Sequence, residues 1–241
     1  MVEFQRDGGI ARIFLNRPQK VNALDSAMLD ALAAAFAKAG DEGVRVVVLA
    51  GRGNAFCGGA DVRELEALDA ESARAFITRV HRACEAARKL PVPVVARLHG
   101  AVIGAGLELA AACDLRIAAT GTRFAMPEVR LGIPSVVEAA LLPRLMGAGR
   151  AAWLVLTGEP IDAARAYDWG LVEEVCPEAD LDRTVARALD SLMAGDAAAL
   201  RMQKELLQAW QELPLAASVA LSIERFSQAY TISRAKASKE H

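Results

Sequence analysis

Aromatic residues are scarce in this chain: 3 Trp, 2 Tyr and 7 Phe make up 5% of its 241 residues. With so few large rings, an apolar fraction of 54%, much of it Ala, points to many closely packed helices. Histidine is scarcer still. Only His81, His99 and His241 occur, none beside a second ligand type at metal spacing, so no metal site is expected. The four cysteines (Cys57, Cys84, Cys113 and Cys176) are scattered, with neither a C-x-x-C pair nor a small-domain disulfide framework. No uncharged apolar run approaches the ~18 residues of a membrane span, and Met1 to Asp7 lack the apolar core of a secretory signal. An excess of charge of one sign is also missing. Lys and Arg total 28 against 30 Asp and Glu, a net −2, which is not the basic footprint of a protein that grips nucleic acid. These absences predict a soluble, cytoplasmic, reduced protein, long enough to bury roughly 70–75% of its unfolded surface without staples.

What is present alternates between strands and helices. Val2–Gln5 and Ile10–Leu15 read as strands parted by an Asp7-Gly8-Gly9 turn. Asp25 caps a helix bearing Met28, Leu29, Leu32 and Phe36 on one face, and Gly40 stops it. Val44–Ala50 and Pro91–Leu98 are continuous apolar runs, as strands buried on both faces require. A small-residue helix is expected around Gly104–Ala112 and a strand over Cys113–Ala119. Beyond Ser135 only Leu171–Val175 reads as strand, and the remainder is helical. The pattern predicts an α/β core over residues 1–185 and a helical C-terminal region over 186–241.

Several chemistries fail on inspection. There is no G-x-S-x-G elbow and no P-loop Gly-Lys-Ser/Thr. Gly104-Ala105-Gly106 opens a helix after a strand, but the dinucleotide fingerprint then needs Gly or Ala where Leu109 stands. Two Gly/Ala-rich turns remain, Gly51 to Asp61 and His99 to Glu108, each after a buried strand. Small residues let a ligand approach the backbone, and two amides aimed at one oxygen would form an oxyanion hole. Glu108 sits in an apolar segment where an unpaired charge is costly, and Glu128 follows Met126-Pro127. The pair could divide acid and base duties; alternatively, Glu108 could pair with Arg116 as a structural ion pair.

These segments resemble the enoyl-CoA hydratase/isomerase family, the crotonase superfamily. Five ordered blocks carry the resemblance: Asn16-Arg17-Pro18 through Asn22-Ala23-Leu24; Phe56 to Val62; Gly100 to Glu108, with Ala105 where the family has Gly; Pro127-Glu128 to Ile133; and Thr157-Gly158 to Val172. The resemblance implies a spiral of ββα repeats with an α-helical C-terminal trimerisation region, assembling as a trimer or dimer of trimers. It implies an acyl-CoA substrate, with coenzyme A part of the substrate and no separate cofactor. The amides of Ala60 and Ala105 would hold the thioester oxygen, and Lys20, Val21, Ala23, Gly58, Asp61, Val62 and Arg63 would contact CoA. Glu108 would activate water and Glu128 would protonate C2. Asp61 could equally cap a helix. Both acidic positions are filled, as in the hydratases, which favours hydration of a 2,3-enoyl thioester over double-bond isomerisation.

The chain departs from the family at Ser135-Val136-Val137-Glu138, where hydratases carry small residues. Val136 and Val137 would crowd the acyl pocket. Ser135 and Glu138 read as a capping box, with Glu138 as a third pocket carboxylate the alternative. The family's final helix motif is not found before Lys239-Glu240-His241, so no residue is assigned from it. Some relatives bind RNA or act as scaffolds; here Arg74, Arg79, His81, Arg82, Arg88 and Lys89 are interleaved with Glu71 and Glu85, as on a solvated helix face.

Overall fold

The computed structural model describes residues 1–40 and 43–237, with side chains to residue 231; Lys239-Glu240-His241 lies outside them. Strands β1 (Val2–Asp7) and β2 (Ile10–Leu15) pair antiparallel across the Gly8-Gly9 turn. Helix α1 (Ser26–Ala39) starts where Asp25 accepts from the Met28 amide at 2.8 Å, and Gly40 closes it. Strand β3 (Val46–Gly51) is buried at every residue. Helices α2 (Val62–Glu66) and α3 (Ala70–Lys89) follow, then β4 (Val94–Leu98), β5 (Ala101–Ile103), α4 (Ala105–Ala111), β6 (Leu115–Ala119) and β7 (Arg123–Ala125). The remainder comprises α5 (Leu142–Met146), α6 (Ala148–Thr157), β8 (Ile161–Asp162), α7 (Ala163–Asp168), β9 (Glu174–Cys176), α8 (Leu181–Ala194), α9 (Ala197–Glu212) and α10 (Leu215–Ala237).

Among the described residues the strands form a six-stranded sheet ordered β1-β2-β3-β4-β6-β9, and a three-stranded sheet ordered β5-β7-β8. From β2 to β9 every pairing in the larger sheet is parallel. The chain repeatedly lays one strand in the large sheet and the next in the small one. Thus β4 leads to β5, β6 leads to β7, and β3 leads to Cys57, which bridges Val102. That repeat, followed by a helix, is the expected spiral.

The sheet is buried on both faces, which is why β3 lacks polar alternation. One face carries Ile13, Leu15, Val47, Leu49 and Ala96 against Leu32 and Phe36 of α1 and Phe76 and Val80 of α3. The other carries Val46, Val48, Val95 and Ile117 against Leu181, Val185 and Leu189 of α8. The boundary expected after residue 185 therefore falls inside a helix that belongs to the core. Helix α8 ends at Gly195, and α9 beyond it still anchors to the core through buried Lys204, which bonds the Ala87 and Val92 carbonyls and Asp114.

Two other expectations change. Leu171 and Val172 are buried but precede the strand, which runs Glu174–Cys176. The two-residue β8 forms only because Ile161 finds Phe124 across the small sheet, a long-range pairing with no local pattern. Trp153 and Trp169 pack edge to face at 5.6 Å with Arg165 stacked over both rings, a packing cluster. Among the described residues no helix is long and apolar enough to cross a membrane.

Candidate active site

Backbone hydrogen bonds stitch the two small-residue turns together. The Phe56 amide donates to the His99 carbonyl (2.8 Å), Cys57 to Ala101 (2.9 Å), and Ile103 back to Cys57 (3.0 Å). Side chains would keep these segments apart: a Cβ on Gly106 would lie 2.7 Å from that of Cys57. A Cβ on Gly59 would lie 4.0 Å from the Ala105 nitrogen, so the residue before Ala60 backs onto the amide of Ala105. Ala105 opens α4, where the helix leaves its first amides without internal acceptors. The Ala60 amide likewise takes no part in the backbone bonds that join its turn to Leu24.

Glu108 stands one helical turn beyond Ala105, on the same face of α4. Its side chain is buried and accepts one hydrogen bond, from the Ala139 amide at 3.3 Å. Burial, then the charge of Glu128, pushes its carboxyl up to about 8; the Ala139 amide opposes this, and Glu138 adds a smaller push upward. Arg116 does not pair with it. That guanidinium bonds Glu173, the Leu171 carbonyl (2.8 Å) and the Cys113 carbonyl (2.6 Å), which corrects the structural ion-pair reading.

Glu128 opens a 3-10 turn, Glu128–Leu131, just after β7. Its Oε2 accepts from the Ser135 hydroxyl at 2.9 Å. Its Oε1 lies against Gly104, where any side chain would collide with it. Gly104 also has φ +50°, so this glycine is required both for its backbone and for the space it leaves the carboxylate. The structure thus brings Glu108, Glu128, Ala60 and Ala105 to one locus, at the start of α4.

The seven residues assigned to CoA share one neighbouring edge. The Gly58 amide donates to the Val21 carbonyl (2.8 Å) and Leu24 bridges Ala60. Lys20, Val21, Val62 and Arg63 are exposed, while Ala23, Gly58 and Asp61 are partly buried. Asp61 accepts from the Arg63 amide as the cap of α2 and also pairs with Arg17 at 3.0 Å. Desolvation raises its pKa, but Arg17, the Arg63 amide and Lys20 outweigh it and hold the carboxyl below its ordinary value.

Two residues of this edge escaped the sequence reading. Arg17 clamps Asp25, Asp61 and the Ala23 carbonyl. Asn22 is fully buried and donates to the carbonyls of Arg52 (2.9 Å) and Ala55 (2.8 Å), while its Oδ1 accepts from the Arg17 amide. Their places in the Asn-Arg-Pro…Asn-Ala-Leu block were the available signal.

The 135–138 segment departs from expectation. Ser135 does not cap a helix: the turn Val137–Leu141 begins at Val136 with no side-chain cap, and the Ser135 hydroxyl serves Glu128 instead. Val136 and Val137 line a cavity of about 350 Å³ with Ala139, Ala140, Ala151 and Val155. Glu138 is not among its lining residues, because its carboxylate is buried against His81 at 2.8 Å. Among the described residues no group of three His, Cys, Asp or Glu could hold a metal ion. Burial pushes the thiols of Cys57 and Cys113 up to about 12, which leaves them protonated and inert.

The comparisons with known proteins identify the family and the fold. The family model for enoyl-CoA hydratase/isomerase matches residues 5–240. A short-chain-enoyl-CoA hydratase of Clostridium acetobutylicum is 30% identical over 233 residues, covering 95% of this chain and 89% of the relative. A crotonyl-CoA hydratase of Syntrophomonas wolfei is 32% identical over 228 residues, covering 92% and 86%. The crystal structure of an enoyl-CoA hydratase from Mycobacterium smegmatis superposes with a TM-score of 0.92 at 35% identity, covering 95% of this chain and 90% of the other. With the spiral fold, the paired turns and the two glutamates in place, the chain belongs to the enoyl-CoA hydratase/isomerase family.

Proposed function

We propose that the protein adds water across the 2,3 double bond of a short or branched enoyl-CoA thioester, with coenzyme A as part of the substrate and no separate cofactor. The observation that carries this reading is the placement of two carboxylates, Glu108 and Glu128, beside the start of α4. Hydration needs both. A base must take a proton from water as oxygen bonds to C3, and an acid must protonate C2. The amides of Ala60 and Ala105 hold the thioester oxygen as it gains enolate character. Glu108 is the base and Glu128 the acid. Exposed Lys20 and Arg63 supply positive charge for the CoA phosphates, and exposed Val21 and Val62 an apolar surface beside them. Names such as short-chain-enoyl-CoA and crotonyl-CoA hydratase among the relatives support the reaction and a small acyl group.

The test is turnover of a panel of enoyl-CoA thioesters, followed by loss of the conjugated chromophore with product identification. A 3-hydroxyacyl-CoA product is expected; a thioester with a shifted double bond would make the protein an isomerase. Val136 and Val137 fill space beside the site, and overpacking costs ~1–3 kcal/mol. A ten-carbon substrate should therefore show a kcat/KM roughly 5- to 150-fold below a four-carbon one. Equal efficiency on both would overturn the small-acyl assignment.

The free protein also sets the pH dependence. Glu108, held at about 8, must lose its proton before it can activate water. The pair must hold one proton, on Glu128 while Glu108 takes one from water, so kcat/KM for hydration should fall as pH rises through about 8, where that shared proton is lost. Activity that keeps rising above that pH would show that hydration needs no carboxyl proton donor.

Self-association belongs to the same proposal. Leu215, Val219, Ile223 and Phe226 of α10 are more than half exposed and, with Trp210 and Leu213, line a groove of about 720 Å³. An apolar face of this size supports burial between copies in a trimer or dimer of trimers. The four unpaired, buried cysteines support a reducing, cytoplasmic setting. On α3, Arg79 pairs with Asp30, Arg88 with Glu212 and Lys89 with Glu85, which supports the reading of a solvated helix face.

A further inference from the structure

The turn that carries the hydrogen bond to Glu108 is poorly supported by its own sequence. Val137 has φ +40°, a left-handed conformation that a β-branched residue adopts only when its surroundings impose it. No side chain caps the turn. Its next residue, Glu138, is buried, and Glu138 Oε1 accepts from His81 Nδ1 of α3 at 2.8 Å. Glu138 Oε2 is buried without a partner, so this one bond fixes the carboxylate. The residue after Glu138 is Ala139, whose amide makes the single hydrogen bond that Glu108 accepts among the described residues. That amide is shared with the Val136 carbonyl at 2.9 Å, so one peptide unit joins Glu138, the turn's own closing bond and the Glu108 carboxylate.

We propose that His81 and Glu138 form a latch between α3 and the 137–141 turn, and that this latch positions Glu108. The inference rests on Glu108 being the base of the reaction. His81 and Glu138 are positioning residues, since neither is assigned a contact with the reacting atoms. His81 can donate from Nδ1 as the imidazolium or as the neutral Nδ1–H tautomer, so the latch does not require a charged imidazole. Placement errors near 1 Å cost on the order of 10²-fold in rate, which is the scale on which an unlatched turn matters.

Charge enters as well. The groups facing Glu138 are His81, Cys84, Glu85 and Arg88 of α3 and Glu108 of α4, with Glu128 beyond Glu108 and Glu212 of α9 on Arg88. Burial raises the pKa of Glu138, and its bond to His81 opposes that rise and favours the charged form. A charged Glu138 in turn helps to raise the pKa of Glu108.

The test uses the full-length enzyme and crotonyl-CoA, with melting temperature and circular dichroism recorded for each variant. His81 is 43% exposed on a helix, so His81→Ala should fold. Its kcat should fall about 10- to 100-fold with KM changed by less than about twofold. Glu138→Ala should match it, and the double variant should be no worse than either single one. Glu138→Gln keeps an oxygen that can accept from His81, so kcat should recover to within about threefold of the parent. The high-pH fall of its kcat/KM profile should nevertheless move to lower pH, because one negative charge facing Glu108 is gone. If Glu138→Ala fails to fold, His81→Ala and Glu138→Gln still decide. Unchanged kcat in His81→Ala, additive losses in the double variant, or an unmoved high-pH fall in Glu138→Gln would each overturn the latch. An inactive Glu108→Gln beside a fully active His81→Ala rejects the latch alone, whereas an active Glu108→Gln rejects the base assignment beneath it.

Discussion

Glu108→Gln is expected to lower the hydration rate by at least ~10²-fold, the usual contribution of a general base, while leaving CoA binding intact. Glutamine keeps the size and the acceptor that the Ala139 amide uses, but it cannot take a proton from water. The residues assigned to CoA lie in the 20–23 and 58–63 segments, so their contacts are not disturbed. Glu128→Gln should cost as much, since C2 then has no proton donor. Full hydratase activity in Glu108→Gln with an inactive Glu128→Gln would indicate a one-carboxylate, isomerase-like centre.

The same substitution has a signature in stability. The folded protein holds the Glu108 proton up to about pH 8, against an ordinary value of 4.5. An acid whose pKa rises on folding favours the folded state below 4.5, and that advantage is lost as pH rises to about 8. Glu108→Gln removes this term. Its melting temperature relative to the parent should climb between those two pH values and then level off. A flat difference would mean that Glu108 is not held protonated by the fold. The site is thus a place where stability is given up for reactivity.

What could be read from the sequence was what is encoded locally. Asp25 and Gly40 bracket α1 because a cap and a stop act on their own neighbours. The unbroken apolar run of β3 announces burial on both faces, and helices cover both. Glu108 and Glu128 were recognisable because the small-residue turns and Met126-Pro127 around them are contiguous in sequence. What failed depends on partners far away in the chain. Ser135-x-x-Glu138 satisfies the local pattern of a capping box, yet Glu128 claims the hydroxyl and His81 claims the carboxylate. Arg116 is one candidate counter-ion for Glu108 in sequence, but Glu173 and two carbonyls take its donors. Strand β8 exists only through its pairing with Arg123 and Phe124 of β7, and the roles of Arg17 and Asn22 appear only once the 52–61 turn is folded beside them. Local propensity fixes elements; competition among distant donors and acceptors fixes the site.

Ala105→Pro should lower the hydration rate on the order of 10²–10³-fold, the cost of removing one donor from an oxyanion hole. The position is favourable for so blunt a change. Ala105 is the first residue of α4, where proline is tolerated because the missing N–H has no intrahelical acceptor. Its side chain is nearly buried, so the added ring atoms need room, and Gly104 before it has the backbone freedom to adjust. Circular dichroism and melting temperature must match the parent before rates are compared. Ala105→Ser, which keeps the amide and adds a small side chain, serves as the control and should retain most activity. The substrate's thioester oxygen gains its charge only in the transition state, so the loss should fall on kcat far more than on KM. A folded Ala105→Pro enzyme with parental kcat would remove the Ala105 amide from the mechanism. Equal losses in Ala105→Pro and Ala105→Ser would assign the defect to crowding of the turn, because serine keeps the donor that the oxyanion needs.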